Sequence, residues 1–172
     1  MLSSFKLLSA TLLLTVTLSN AMESPKATIV PYEHERDYPA VKAIMEADSE
    51  YLLYPGQPLE YTARYLTSEK YKTDVIRINA VTVGFVNYCV YDAKILWIFN
   101  LGRTGVLHLL GIQKEHRRNG YAKKLAEHVI EYAKQEHAIK IMIQAASEND
   151  GAHKLYEKLG FQRMGPMLTL EL

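Results

Sequence analysis

The stretch from Gly111 to Lys124 limits the possible folds of this chain more than any other. The apolar run Val106 to Ile112 reads as a strand, a charged loop follows, and a helix begins around Asn119 or Gly120. From there Ala122, Leu125, Ala126, Val129, Ile130 and Ala133 form one apolar stripe, with Lys123, Glu127, Glu131 and Lys134 around it. The loop and first turn hold His116, Arg117, Arg118, Lys123 and Lys124. An isolated helix disfavours cations there, because its N-terminus already carries about +0.5 of dipole charge. They make sense around an external anion. The first N–H groups of a helix lack intrahelical partners and form a ready cradle for one. Gly120 lets a group approach the backbone closely, and Ala122 keeps the second turn open. The alternative is a solvated basic turn with Gly120 as a loop residue.

The flanking sequence supplies the layers such a crossover needs. Ala27 to Tyr32 reads as a strand, and Tyr38, Val41, Ile44 and Met45 mark a helix over about Asp37 to Tyr51. A turn at Tyr54 to Pro58 leads to a short helix through Tyr65 and Leu66. Strand-like runs then occupy Val75 to Ala80, Val83 to Tyr91, Ile95 to Asn100 and Val106 to Ile112, with Gly102 to Gly105 predicted as a hairpin turn. After the long helix, Ile139, Ile141 and Ile143 alternate as a strand, Asn149 to Leu159 is a helix, and Met167 to Leu172 a last strand. The order predicts an α/β domain, a mixed sheet with helices on its faces.

Charge narrows the function. Lys plus Arg number 20 and Asp plus Glu 19, so no strong field exists to hold nucleic acid or anionic lipid, and the anion site must be local. A nucleic-acid binder would also need a second basic stripe, which is missing. With 48% hydrophobic and 23% charged residues in 172, the chain can bury one sizeable core and is neither disordered nor collagen-like. Cys89 stands alone, so it closes no intramolecular disulfide and builds no cysteine-rich zinc site; it reads as a small buried strand residue rather than a nucleophile. No His pair has helical metal-ligand spacing, and no metal is inferred.

Met1 to Ala21 stands apart. Lys6 is its only charge, and the Leu, Ala, Val, Ser and Thr run from Leu7 to Leu18 is shorter than the ~20 apolar residues of a spanning helix. Ser19-Asn20-Ala21 places small residues at the third and first positions before a possible cut. Residues 1–21 therefore read as a cleavable secretory signal and 22–172 as the domain, exported to a periplasm or secreted. An uncleaved anchor, the one route to a membrane, or a cytoplasmic chain is the alternative.

Two motifs carry a family resemblance. Arg117-Arg118-Asn119-Gly120-Tyr121-Ala122 fits the pattern Arg/Gln-x-x-Gly-x-Gly/Ala and resembles the acetyl-CoA pyrophosphate loop of the GNAT superfamily of N-acetyltransferases. Asn149 through Ala152 to Leu155-Tyr156-Glu157-Lys158-Leu159-Gly160-Phe161 resembles that family's closing helix and strand. The resemblance spans about Ala27 to Leu172 and is specific within Leu107 to Phe161. It implies a GNAT-like acyl-CoA N-acyltransferase fold: a central, mostly antiparallel sheet with a splayed strand pair and helices on both faces.

The same resemblance assigns roles. The backbone groups of Leu110 and Ile112 would hold the pantetheine arm, with Gly111 at a bulge or a close ligand approach. The N–H groups of Arg117, Arg118, Asn119, Gly120, Tyr121 and Ala122 would bind the pyrophosphate, Arg117 and Arg118 adding charge. Asn149 would bind the CoA arm through its amide, cap the helix, or both. Tyr156 would protonate the departing thiolate, although its spacing with Ala152 and Leu159 also suits a core tyrosine. His108 stands where many relatives carry Glu, three residues before Gly111. Its neutral imidazole would take the acceptor's proton directly or through a water; the other reading is a histidine packed in the sheet.

The implied reaction moves an acetyl group from acetyl-CoA to a primary amine of a small molecule or peptide, by direct attack in a ternary complex. The alternative is a non-catalytic acyl-CoA or peptide-binding module, which His108 in place of Glu would favour. By analogy the acceptor lies near Tyr51, Tyr54, Tyr65, Tyr88, Tyr91 and Trp97, with Glu50 or Asp92 as acidic recognition groups. The resemblance also implies a monomer or homodimer. Export conflicts with an intracellular donor, unless the chain is delivered into a host cell, tethered, or left unprocessed.

Overall fold

The computed structural model describes residues 26–53, 56–95, 99–164 and 167–172. The segment read as a signal, Tyr54 and Trp97 lie outside them. Seven strands form one sheet in the order β1-β2-β3-β4-β5-β7-β6. They are β1 (Ala27–Pro31), β2 (Lys72–Ile78), β3 (Val81–Ile95), β4 (Phe99–Ile112), β5 (Lys140–Gln144), β6 (Gln162–Met164) and β7 (Met167–Glu171). All neighbours are antiparallel except β4 and β5. The helices are α1 (His34–Ala47), α2 (Ser49–Leu52), α3 (Leu59–Ala63), α4 (Tyr121–Gln135) and α5 (Asp150–Lys158), with a 3-10 turn at Arg64–Thr67. The expected mixed α/β sheet with helices on both faces is what the chain forms.

Period-two alternation divides the strand side chains between two cores. Val75, Phe85 and Leu109 pack with Val41, Ile44, Met45 and Leu52 from α1 and α2. Ile76, Val86, Leu107 and Ile112 pack with the stripe Leu125, Ala126, Val129 and Ala133 of α4. Each large aliphatic side chain buried this way contributes ~1.5–3 kcal/mol relative to exposure. Gly111 belongs to the first core: a Cβ there would sit 2.6 Å from Ile44 Cγ2 and 2.9 Å from Phe85 Cε1. Its small size thus serves the approach of α1.

Three expectations need correction. Gly102 to Gly105 is no hairpin turn: these residues lie inside β4, with Arg103 opposite Asp92 and Gly105 opposite Val90. β3 ends at Ile95 and β4 begins opposite it at Phe99, both inside the run expected to be a separate strand. Gly105 is tightly packed, since a Cβ there would lie 3.1 Å from Ile141 and 3.3 Å from Ala133. Glycine marks turns and close approaches alike, and the sequence pattern does not separate them. Second, α1 starts at His34, ahead of Asp37, because the Asp37 carboxylate reaches back to accept from the Glu33 N–H at 2.8 Å. Third, β6 was not anticipated; its three residues are all exposed and carry no apolar alternation.

Asp37 also ties α1 to the sheet. Fully buried, it accepts from Arg77 Nη2 at 2.7 Å and from Thr82 Oγ1 at 2.6 Å. Burial pushes its carboxyl up, but hydrogen bonds from Arg77, Thr82 and the Glu33 backbone, with the Arg77 charge, hold it below the ordinary carboxylate range. Its stabilising effect is therefore present above the unfolded value of about 3.9 and is lost as pH falls through the lower folded value. Asp37→Ala leaves Arg77 buried without its partner and should cost about 3–5 kcal/mol, read from urea denaturation at neutral pH.

Candidate active site

The sheet opens where β4 and β5 part. Their parallel pairing runs from Thr104 opposite Lys140 to Leu107 opposite Ile143 and stops, while β4 stays paired with β3 as far as Ile112. The Gln113 N–H donates to Val83 O at 2.9 Å, so Gln113 faces β3. Alternation along an antiparallel ladder then turns the N–H and C=O groups of Leu110 and Ile112 to the opposite side, into the fork. A cavity of about 410 Å³ fills this fork, bounded by β4, the start of α4, the segment after β5, and α5.

The loop entering α4 forms one rim. Arg118 and Gly120 have φ of +64° and +78°, so the chain makes two left-handed steps before the helix. Glycine favours that conformation at 120, and a Cβ there would meet no protein atom within 4 Å. The first helical bond runs from the Lys124 N–H to Gly120 O at 3.0 Å, leaving the N–H groups of Tyr121, Ala122 and Lys123 without a carbonyl behind them.

Other loop residues are placed differently from expectation. The Arg117 N–H is already engaged with Lys114 O at 3.3 Å. Its guanidinium donates to Ile112 O through Nε at 3.1 Å and to the Asp48 carboxylate through Nη2. Arg117 thus braces the end of β4 against the α1–α2 corner. The Asn119 amide donates to the carbonyls of His116 and Arg117, both at 3.2 Å, so its side chain pins the loop instead of lining the cavity. Arg117, Arg118, Gly120, Tyr121 and Ala122 all line it.

His108 is the extra residue of a β-bulge: Asn87 pairs with Leu109 and Tyr88 with Leu107, leaving His108 with no residue opposite. Its Nδ1 lies 2.9 Å from Asn87 Oδ1. The Tyr71 ring stacks on it at 5.0 Å, and Tyr65 meets it edge-on at 4.7 Å. Burial lowers its pKa below the ordinary histidine value, so the ring is neutral near pH 7. Across the cavity, Tyr156 on α5 is only 4% exposed and packs edge-on to Phe161 at 5.6 Å. Burial pushes its phenol pKa up, which keeps the proton on oxygen. Asn149 caps α5, its Oδ1 accepting from the Ala152 N–H at 3.0 Å, and also lines the cavity.

The acceptor-side aromatics divide. Tyr51 lines the cavity and Tyr65 packs on His108, but Tyr88 turns to the α4 face, where it donates to Asp74 at 2.6 Å. Tyr91 is exposed, and Asp92 lies 3.8 Å from Arg103. Sequence reasoning missed Asn87, Tyr71 and Asp48. A fully buried Asn inside the apolar run Val83 to Tyr91 was the available signal. Among the described residues, no group of three or more His, Cys, Asp or Glu stands together as a metal site, and no helix is long and apolar enough to cross a membrane.

Residues 41–161 match the Acetyltransferase (GNAT) family. The chain belongs to that family. It is 30% identical over 139 residues to N-alpha-acetyltransferase 30 of Schizosaccharomyces pombe, covering 79% of this chain and 84% of that one. It is 38% identical over 73 residues to the protein of the same name from Saccharomyces cerevisiae, 42% of each chain, so it matches less than half the length of that relative. Among solved structures, the NatC complex bound to Gag peptide and CoA has a chain that aligns with a TM-score of 0.68 and 23% identity, covering 86% of this chain and 99% of that one. An N-acetyltransferase from Staphylococcus aureus Mu50 also aligns at 0.68, with 17% identity over 85% and 98%. The forked sheet with helices on both faces is therefore the GNAT fold, and the chain is an acetyltransferase.

Arg117→Ala should lower the unfolding free energy by about 1 kcal/mol, because a partly exposed ion pair and one carbonyl contact are lost together. A urea midpoint shift without a change in slope is the expected readout.

Proposed function

We propose that this acetyltransferase moves the acetyl group of acetyl-CoA onto the free α-amine of a peptide, by direct attack while both substrates are bound. One observation carries the reading: a neutral imidazole and a protonated phenol line the same cavity as the open β4 edge and the α4 N-terminus. The names of the relatives, N-alpha-acetyltransferases, and the peptide and CoA held by the NatC complex support the choice of acceptor.

Leu110 and Ile112 offer outward backbone groups to the amides of the pantetheine arm. The α4 N-terminal amides and Arg118 offer positive partial and full charge to the diphosphate. Asn149, with its oxygen committed to the cap, retains its amide nitrogen for the arm. The thioester, when bound, supplies an activated acyl carbon.

The chain's own groups handle the protons. An N–C bond forms and the C–S bond breaks; His108 takes the proton leaving the amine, and Tyr156 gives one to the sulfur. A peptide α-amine, with a pKa of about 7.7–8.0, lies within reach of an imidazole; a lysine amine at about 10.4 is much further away. That difference favours the α-amine as acceptor.

Purified chain with acetyl-CoA and a panel of peptides, followed by thiol release, tests the reading. Peptides with a free N-terminus are expected to turn over and N-blocked ones not. CoA binding with no thiol release for any amine would establish the binding module instead. His108→Ala should lower kcat about 10²–10⁴-fold. Tyr156→Phe should lower kcat more than affinity for acetyl-CoA. Activity should fall only below the ordinary histidine value of about 6.5, where the depressed His108 finally takes up a proton.

We further infer that Met1–Ala21 is an export signal removed after Ala21, on the strength of its short apolar run and the small residues before the cut. Mass analysis of the mature protein should find Met22 at the N-terminus; a retained Met1 rejects the inference.

A further inference from the structure

We propose that Asn87 is a positioning residue that fixes the proton of His108 on Nδ1 and so places the basic lone pair on Nε2. The inference rests on the role given to His108 above, and it identifies a residue outside the motifs that point to the family.

The hydrogen-bond accounting around Asn87 leaves one solution. Asn87 is fully buried on β3. Its amide nitrogen lies 3.1 Å from Tyr65 O, 3.3 Å from Lys72 O and 3.0 Å from Thr73 Oγ1. The two carbonyls only accept, and the Thr73 hydroxyl spends its proton on Leu66 O at 2.8 Å. All three partners therefore require a donor, so the NH₂ end of Asn87 faces them and its oxygen faces His108. A carboxamide oxygen accepts only. The His108 Nδ1 at 2.9 Å must then be the donor. A neutral imidazole carries a single N–H, and its lone pair falls on Nε2.

Asn suits this role better than a carboxylate. An Asp on Nδ1 would orient the ring too, but it would also stabilise the imidazolium and raise its pKa. The neutral amide selects the tautomer while burial keeps the ring unprotonated. Among the described residues, the titratable groups that pack against the ring include Tyr65, from the 3-10 turn, and Tyr71, from the turn before β2. Lys70 lies beyond Tyr71, its Nζ 5.7 Å from that ring. Tyr156 faces the same cavity from α5. The bulge and the Tyr71 stack hold the plane of the imidazole, and Asn87 sets its protons.

Nitrogen-15 NMR of the ring of His108 in the full chain tests the assignment directly. A protonated Nδ1 and an unprotonated Nε2 near neutral pH are expected; the opposite tautomer overturns the proposal. In Asn87→Asp the acid limb of kcat/KM should move up by about one to three pH units, with KM for acetyl-CoA unchanged. A folded Asn87→Asp enzyme whose acid limb stays in place also overturns it. The native spectrum needs neither the variant nor turnover. It therefore decides the tautomer even where Asn87→Asp fails to fold, or where no amine is acetylated and the proposed function itself fails.

Discussion

Every part of the site depends on β4 keeping one partner while it loses the other. On the β3 side the ladder runs to Ile112, which keeps the strand extended and rigid; on the β5 side it ends at Leu107. A strand bonded on both edges has no backbone to offer, and one bonded on neither would not hold its shape. The half-bonded state leaves the groups of Leu110 and Ile112 in the fork at fixed spacing. Arg117 completes this arrangement, because its guanidinium spans Ile112 O and Asp48 and ties the end of the strand to the α1–α2 corner.

The bulge at His108 sits one residue beyond the last β4–β5 pair, and the two irregularities act together. By adding a residue to β4, the bulge puts Leu107 in the α4 core and Leu109 in the α1 core. His108 is thereby released from the ladder and turned among Asn87, Tyr65 and Tyr71 at the edge of the cavity. One backbone irregularity thus joins the two hydrophobic layers and presents His108 to the cavity. The buried polar groups on the α1 side follow the same economy: Asp37 with Arg77 and Thr82, and Asn87 with the Tyr65 and Lys72 carbonyls, each satisfy one another where unpaired they would destabilise the fold.

Much of this was legible in the residues. The α4 stripe, the basic loop before it and the Tyr156 helix have strong local patterns, and their elements stand where the patterns place them. The glycines were harder. Gly105 looks like a turn residue in one dimension, and nothing local shows that it packs against Ala133 and Ile141, or that Gly111 packs against Ile44, all distant in sequence. Arg117 sits among cations in the sequence, and its partner Asp48 lies far back along the chain, so the ion pair has no local signal.

What the sequence determined by itself was periodicity and local chemistry: which segments are strands or helices, where α4 begins, and which side chains could move a proton. Those properties arise from neighbours within a few residues. The tertiary structure decided the fork, the bulge, the bracing by Arg117 and the pairing of Asn87 with His108. Each depends on strand register, and register is settled only when both faces of the sheet bury their apolar side chains at once.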